Sequence, residues 1–176
     1  DTLEEIPMSR LYSVSPDDRL QLRLHGKGFF FDNARRKHGT LMHEVLSRIR
    51  TPKDIPASVE SYRLAGVINR EEAAELISRL EELLQAEEVK AWYDGSARVL
   101  NEVDILFGKG LSKRPDRVMI KGSKVIVVDY KFGERQDKRH LNQVRNYLQL
   151  IRKMGFERVD GYLWYVELGK IEAVNK

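Results

Sequence analysis

Residues 114–131 read RPDRVMIKGSKVIVVDYK, two apolar β-type runs flanking Gly122-Ser123. That pair suits a tight two-residue hairpin with Gly at its first central position. Once the turn is placed, the register follows: Lys121 faces Lys124, Ile120 faces Val125, Val118 faces Val127, and Asp116 faces Asp129. Directly opposed residues have Cβ atoms about 4.5–5.5 Å apart, and like charges so opposed destabilise a sheet. Lys131 lies two residues past Asp129, so the period of 2 along a strand projects both from one face. One way to relieve the repulsion is a salt-bridged pair at a strand end, neutralised by Lys131 or Arg117. The other is a divalent cation bridging both carboxylates, for which hard oxygen ligands suit Mg²⁺ or Mn²⁺. Pro-Asp, a hairpin, then Asp-x-Lys favours the cation.

Both faces of the hairpin are largely apolar. Val118, Ile120, Val125 and Val127 share the Asp face, while Met119, Ile126 and Val128 take the other. This pattern places the hairpin centrally in a sheet covered on both sides. Carboxylates at the end of such a sheet meet a low dielectric, where an unpaired charge is costly.

Asp116 in RPDRV and Asp129-Tyr130-Lys131 in VVDYKFG resemble the PD-(D/E)XK nuclease superfamily. The resemblance is nearest to the RecB-type nuclease domain of UvrD-like helicases such as RecB and AddA. GTLMHEVL with His43, and QVRNY with Gln143 and Tyr147, fit the same pattern, so four ordered motifs span residues 39 to 165. The resemblance implies an α/β, restriction-endonuclease-like core of order α-β-β-β-α-β, with a central mixed sheet flanked by helices and an inserted helical segment. It implies a single nuclease domain over 1–176, with an irregular lead-in at 1–38, a helical part at 39–90 and a sheet core at 91–176.

Its implied chemistry is Mg²⁺- or Mn²⁺-dependent hydrolysis of DNA, exonuclease V-like, within an ATP-dependent helicase–nuclease of double-strand-break repair and recombination. Asp116, Asp129 and Lys131 would be catalytic. Asp116, Asp129, His43 and the Tyr130 carbonyl would hold metal. Glu102 would be an accessory ligand or a partner for Lys131; a solvated strand face explains it equally well. Gln143 and Tyr147 would wall the site. Arg114, Arg117, Lys138 and Arg145 would contact DNA, with Arg152 near phosphates. The implied partners are single-stranded DNA or duplex ends, the helicase domain of the parent chain and a second helicase–nuclease subunit. The competing class is a catalytically idle nucleic-acid-binding module of a helicase.

The 176 residues suffice for one domain with a real core. No apolar run approaches the roughly 18 residues of a membrane span, and nothing reads as a signal peptide. Zero cysteines exclude disulfides and a cysteine-held iron–sulfur cluster, and suit a reducing cytoplasm. No phosphate-cradling Gly-rich loop is present, so no nucleotide site is expected in these residues. Residues 109–158 hold fourteen Lys and Arg against five Asp and Glu, a balance of +9; the whole chain is +4, so the remainder is −5. The basic half contains the Asp pair. That suits a docked polyanion, though lysines and arginines that merely solubilise helix faces give the same count. The chain starts at Asp1 without Met, as an excised C-terminal piece of a longer polypeptide would, or a trimmed tag.

Ser15-Pro16-Asp17-Asp18 reads as a turn and Leu20 to Leu24 as a short strand. The aromatic-rich Gly26 to Phe31 is either a lead-in packed on the core or a surface that met a preceding domain. A helix is expected from Gly39-Thr40, with Thr40 as N-cap, ending before Thr51-Pro52. Ala57 to Ala65 reads as a short helix. Asn69 with Glu72 signs the N-terminus of the next, whose stripe is Ala73, Leu76, Ile77, Leu80, Leu83 and Leu84. Val89 to Tyr93 and Val99 to Phe107 read as strands, with a loop from Gly108 to Lys113. The helix from about Arg139 to Met154 puts Gln143 and Tyr147, four apart, on one side. Val159 to Val166 and Gly169 to Val174 are further strands.

Overall fold

The computed structural model describes the backbone of residues 27–101, 105–106, 112–133 and 137–174, and side chains within these from residue 38, apart from those of 105–106 and 112–113. The turn expected at Ser15–Asp18, the strand at Leu20–Leu24, and Glu102 and Asp104 lie outside the described residues. The chain divides into two units, Asp1–His38 and Gly39–Lys176; the account below concerns the second.

Helix α1 runs Lys27–Arg48, a 3-10 turn Pro52–Asp54, α2 Ile55–Leu64, α3 Arg70–Gln85 and a single turn α4 Glu87–Lys90. Strands follow as β1 Arg98–Asn101, β2 Ile105–Leu106, β3 Ser112–Lys113, β4 Arg117–Lys121 and β5 Lys124–Lys131. Helix α5 spans Lys138–Lys153, then β6 Arg158–Tyr165 and β7 Lys170–Val174. The main sheet has the order β1-β4-β5-β6-β7, with β5 and β6 parallel and the other neighbours antiparallel. This is the α/β architecture expected, in the order helix, three strands, helix, strand.

The hairpin holds the register read from its turn. Lys121 pairs Lys124, Ile120 pairs Val125, Val118 pairs Val127, and the ladder reaches Arg117 opposite Val128. Gly122 supplies the turn's left-handed residue at φ +61, a conformation that costs glycine nothing. The Asp-side residues Val118, Val125 and Val127 pack with Val144, Tyr147, Leu148 and Ile151 of α5. Met119 and Val128 pack on the other side with Met42, Val45, Leu46 and Ile49 of α1 and with α2 and α3. Both sheet faces are therefore covered.

Capping decides the helix ends. Asn69 Oδ1 accepts from the Glu72 amide at 2.9 Å, and Glu72 Oε2 accepts from the Asn69 amide at 2.7 Å, a reciprocal pair that satisfies two otherwise orphaned donors. Asp137 caps α5 by accepting from the Arg139 amide at 2.8 Å.

Four expectations change. Residues 27–38, read as irregular, are helical, and Gly39 and Thr40 lie inside α1 instead of starting it. Gly39 serves close approach: a Cβ there would lie 3.1 Å from Phe132 Cβ. Val89 to Tyr93 is not a strand but the turn α4 and its continuation. Its buried residues Val89, Trp92 and Tyr93 fall at i, i+3 and i+4, the spacing of one helical face. The strand expected over Val99 to Phe107 is two pieces, β1 on the main sheet and β2 paired with β3, which itself falls in the expected loop.

Gly161 in β6 is where α5 comes closest to the sheet, since a Cβ there would lie 2.8 Å from Val144 Cγ1 and 2.9 Å from both Leu148 methyls. Gly161→Ala is expected to cost about 1–3 kcal/mol by overpacking, lowering the thermal midpoint by roughly 2–4 °C per kcal/mol. An unchanged midpoint in a thermal melt would mean that α5 is not seated on β6 as described.

Candidate active site

The ladder of β4 and β5 ends at the Arg117–Val128 pair; Asp116, in the bend before β4, and Asp129 are the next residues on either side, close enough for their charges to interact. Asp129 is only 1 % exposed. Burial pushes its carboxyl up to about 6; the Asp116 charge pushes the same way, while Lys131 and His43 oppose it.

Each carboxylate has its own counter-group. His43, on α1, donates from Nε2 to Asp116 Oδ1 at 2.7 Å. The backbone amide of Tyr130 donates to Asp116 Oδ2 at 2.6 Å. The ammonium of Lys131 stands 2.5 Å from Asp129 Oδ2, yet that oxygen has no donor aligned along a hydrogen-bonding direction. The contact opposes the upward push of burial on the Asp129 carboxyl.

Lys131 is held in turn. It donates to Gln143 Oε1 at 3.1 Å, Gln143 Nε2 donates to Tyr147 Oη at 2.8 Å, and Tyr147 Oη donates to the Arg114 carbonyl at 3.2 Å. The chain of bonds runs from β5 through two successive turns of α5 to the residue before Pro115. It fixes which way the Gln143 amide faces, because only its nitrogen can serve Tyr147 and only its oxygen can serve Lys131.

The structure thus gathers His43, Asp116, Asp129, Lys131, Gln143 and Tyr147 around the open end of the hairpin. Tyr130 turns its ring to the opposite face. Its hydroxyl shares a 2.8 Å hydrogen bond with Tyr93 Oη, and its ring meets Trp164 edge-on. Burial holds both phenols above their ordinary range. Arg114, Lys138 and Arg145 are exposed; Arg145 donates to Asn142 Oδ1 at 3.2 Å. Arg152 donates to the Val159 carbonyl at 3.1 Å. Glu102 is outside the described residues.

Arg117, expected to contact DNA, is a correction. It is fully buried, with its guanidinium 3.9 Å over the Tyr93 ring. It donates to the carbonyls of Ile49 and Trp92, each at 2.8 Å, and to that of Arg50 at 3.3 Å. The reason lies in alternation: Asp116 and Arg117 are consecutive, so they leave the strand on opposite faces, and no phosphate reaches Arg117.

Two residues that the sequence reading passed over also lie here. Tyr165 is the parallel-register partner of Lys131, and its hydroxyl is 3.5 Å from His140 Nδ1. His140 is pushed down by burial and by the charge of Lys131. A signal existed: His140 precedes Gln143 by three residues on one helix and so shares its side.

A family model for the PD-(D/E)XK nuclease superfamily matches residues 19–176, and the chain belongs to that superfamily. Nucleases of this superfamily generally use Mg²⁺ or Mn²⁺. No curated protein matches the chain.

The donors suit such an ion by chemistry: two carboxylates and one imidazole, with one oxygen of the Asp129 carboxylate buried and, among the described residues, without an aligned donor. Among the described residues, no three such groups converge into a ready cage. His43 is turned onto Asp116, and Lys131 onto Asp129.

The raised carboxyl of Asp129 has a signed consequence. Between its ordinary value near 3.8 and about 6, the folded protein holds a proton that the unfolded chain has released. Stability without metal therefore falls as pH rises through that window. Asp129→Asn removes this cost, so in EDTA the variant is expected to melt above wild type at pH 7.5. The gap should shrink towards pH 4, and its full size is on the order of 3 kcal/mol. A variant that melts lower at pH 7.5 would show instead that the Lys131 ion pair outweighs burial.

Proposed function

We propose that this chain is a divalent-metal-dependent deoxyribonuclease, an exonuclease V-like domain of RecB/AddA type. In this reading it forms one nuclease domain, works in the cytoplasm with a helicase motor, and trims DNA during double-strand-break repair and recombination. The observation that carries the proposal is the pair Asp116–Asp129 at the end of a buried hairpin, with Lys131 on the second carboxylate. Membership of the superfamily supports nuclease chemistry on nucleic acid. The helicase setting, the exonuclease mode and the role in repair rest on the likeness of the motifs.

Asp116, Asp129 and His43 would hold Mg²⁺ or Mn²⁺, with the Tyr130 carbonyl as a further oxygen. When bound, such an ion acidifies water and neutralises charge on the scissile phosphate. Lys131 then donates to the attacking water or to a non-bridging phosphate oxygen, stabilising the charge that builds on the phosphorane. Gln143 takes one of its three donors, which holds the flexible stem in place. Tyr147 holds Gln143. Arg114, Lys138 and Arg145 contribute exposed positive charge to the phosphate backbone, without base readout.

The test is incubation of the purified 176-residue chain with end-labelled linear and circular single-stranded DNA in Mg²⁺, Mn²⁺ or EDTA. Metal-dependent loss of linear DNA is expected, with the circle spared. Lys131→Ala should slow cleavage by about 10² or more, and Gln143→Ala by about tenfold, as for a residue that orients a reacting group. Undiminished cleavage by Asp129→Ala would sink the mechanism. If wild type cuts nothing and calorimetry detects no Mn²⁺ binding, the idle nucleic-acid-binding reading holds and the Asp pair is structural.

A further inference from the structure

Arg117 has no carboxylate ion pair among the described residues, although its guanidinium is entirely withdrawn from water. Its compensation is unusual in kind: three backbone carbonyls and an aromatic face. Two of the carbonyls, those of Ile49 and Arg50, lie just past the C-terminal end of α1, where a helix concentrates partial negative charge. Asn101 of β1 joins the clamp. Its side-chain amide donates to the Ser47 carbonyl, and its Oδ1 accepts from Arg117 at 3.4 Å. The end of α1 and the two residues after it are thus tied to β1 and β4 through the carbonyls of Ser47, Ile49 and Arg50.

His43 stands one turn before Ser47 on that helix, and its imidazole bonds Asp116, the residue next to Arg117. The closure is short. Asp116 takes the side chain that α1 carries, and Arg117 takes the end of α1 itself. A second tie runs through Tyr93, whose ring lies under the guanidinium and whose hydroxyl bonds that of Tyr130. The Tyr130 amide, in turn, bonds Asp116. Both sets of bonds hold α1 against sliding along the sheet.

We propose that Arg117 is a positioning residue: by clamping the C-terminal end of α1 beside Asp116, with Asn101 as its auxiliary, it fixes His43 on the carboxylate pair and so sets the site's affinity for a divalent ion. The metal half of this statement rests on the nuclease reading above; the placement of His43 does not. Loss of the clamp lets α1 and its imidazole shift while the sheet keeps its pairing.

The test uses the whole chain, ¹⁵N-labelled and metal-free, with His43→Ala identifying the His43 ring resonances. Asn101→Ala weakens the clamp mildly. Arg117→Lys keeps the charge but can serve fewer carbonyls. Both are expected to retain the far-UV circular dichroism of wild type, while His43 Nε2 moves from its hydrogen-bonded position towards that of a solvated imidazole. If Arg117→Lys fails to fold, Asn101→Ala decides. Mn²⁺ titration should then show roughly tenfold or greater weakening in Arg117→Lys, and no further weakening when the same change is made on His43→Ala. A His43 resonance that stays in place in the folded variants overturns the proposal, and so does full additivity of Arg117→Lys with His43→Ala. If wild type binds no Mn²⁺, the nuclease reading fails, and the imidazole resonance alone judges Arg117.

Discussion

The constraint on which this structure turns is two carboxylates brought face to face by the register of a buried hairpin. Like charges held close in a poorly solvated site repel strongly, and the Asp116 charge does push the buried Asp129 carboxyl up. The surrounding elements are arranged as answers to it. Helix α1 brings an imidazole to Asp116, the β5 backbone brings an amide to the same carboxylate, and Lys131 is brought to Asp129 by the two-residue period of its own strand. Asp129 nevertheless stays pushed up to about 6, by its burial first and by the Asp116 charge second. A site fully neutralised by its own protein would have little use for a cation.

Strand alternation divides the labour. In each half of the hairpin a carboxylate is followed by a large residue on the α1 side: Asp116 by Arg117, Asp129 by Tyr130. The α5 side carries Asp129, Lys131 and the Gln143–Tyr147 bonds that hold Lys131. The α1 side carries Arg117, Tyr93 and Tyr130, stacked or hydrogen-bonded to one another within the larger apolar cluster. Adjacent residues therefore place the chemistry and brace it, which is why the brace can be short and stiff.

What was legible in the sequence was what a fixed period or a short loop determines. The hairpin register came from one turn, the shared face of Asp129 and Lys131 from the pleat, the start of α3 from Asn69 and Glu72, and the Gln143–Tyr147 adjacency from the helical repeat. What was not legible depended on partners far along the chain. Nothing near Arg117 announces that carbonyls 25 to 68 residues away will receive its guanidinium. A helix start was read at Gly39-Thr40 with Thr40 as its cap, while both lie inside α1 and Gly39 admits Phe132. Val89, Trp92 and Tyr93 were read by strand propensity, when their spacing already described one face of a helical turn.

The same distinction bears on the charge count. A balance of +9 over residues 109–158 suggests a broad basic surface, but charge counts ignore where side chains point. Arg117 is interior, Lys124 pairs with Asp160 at 2.7 Å, Arg139 pairs with Asp137 at 2.6 Å, and Lys131 is committed to Asp129. These four of the fourteen cations are committed to partners within the fold. A phosphate backbone approaching the hairpin's open end would meet a smaller, placed set, among it Lys138 at the start of α5 and Arg145 one residue before the middle of that helix. Affinity drawn from so few phosphate contacts would be modest and only shallowly salt-dependent, because both the affinity and its salt slope grow with the number of phosphates neutralised.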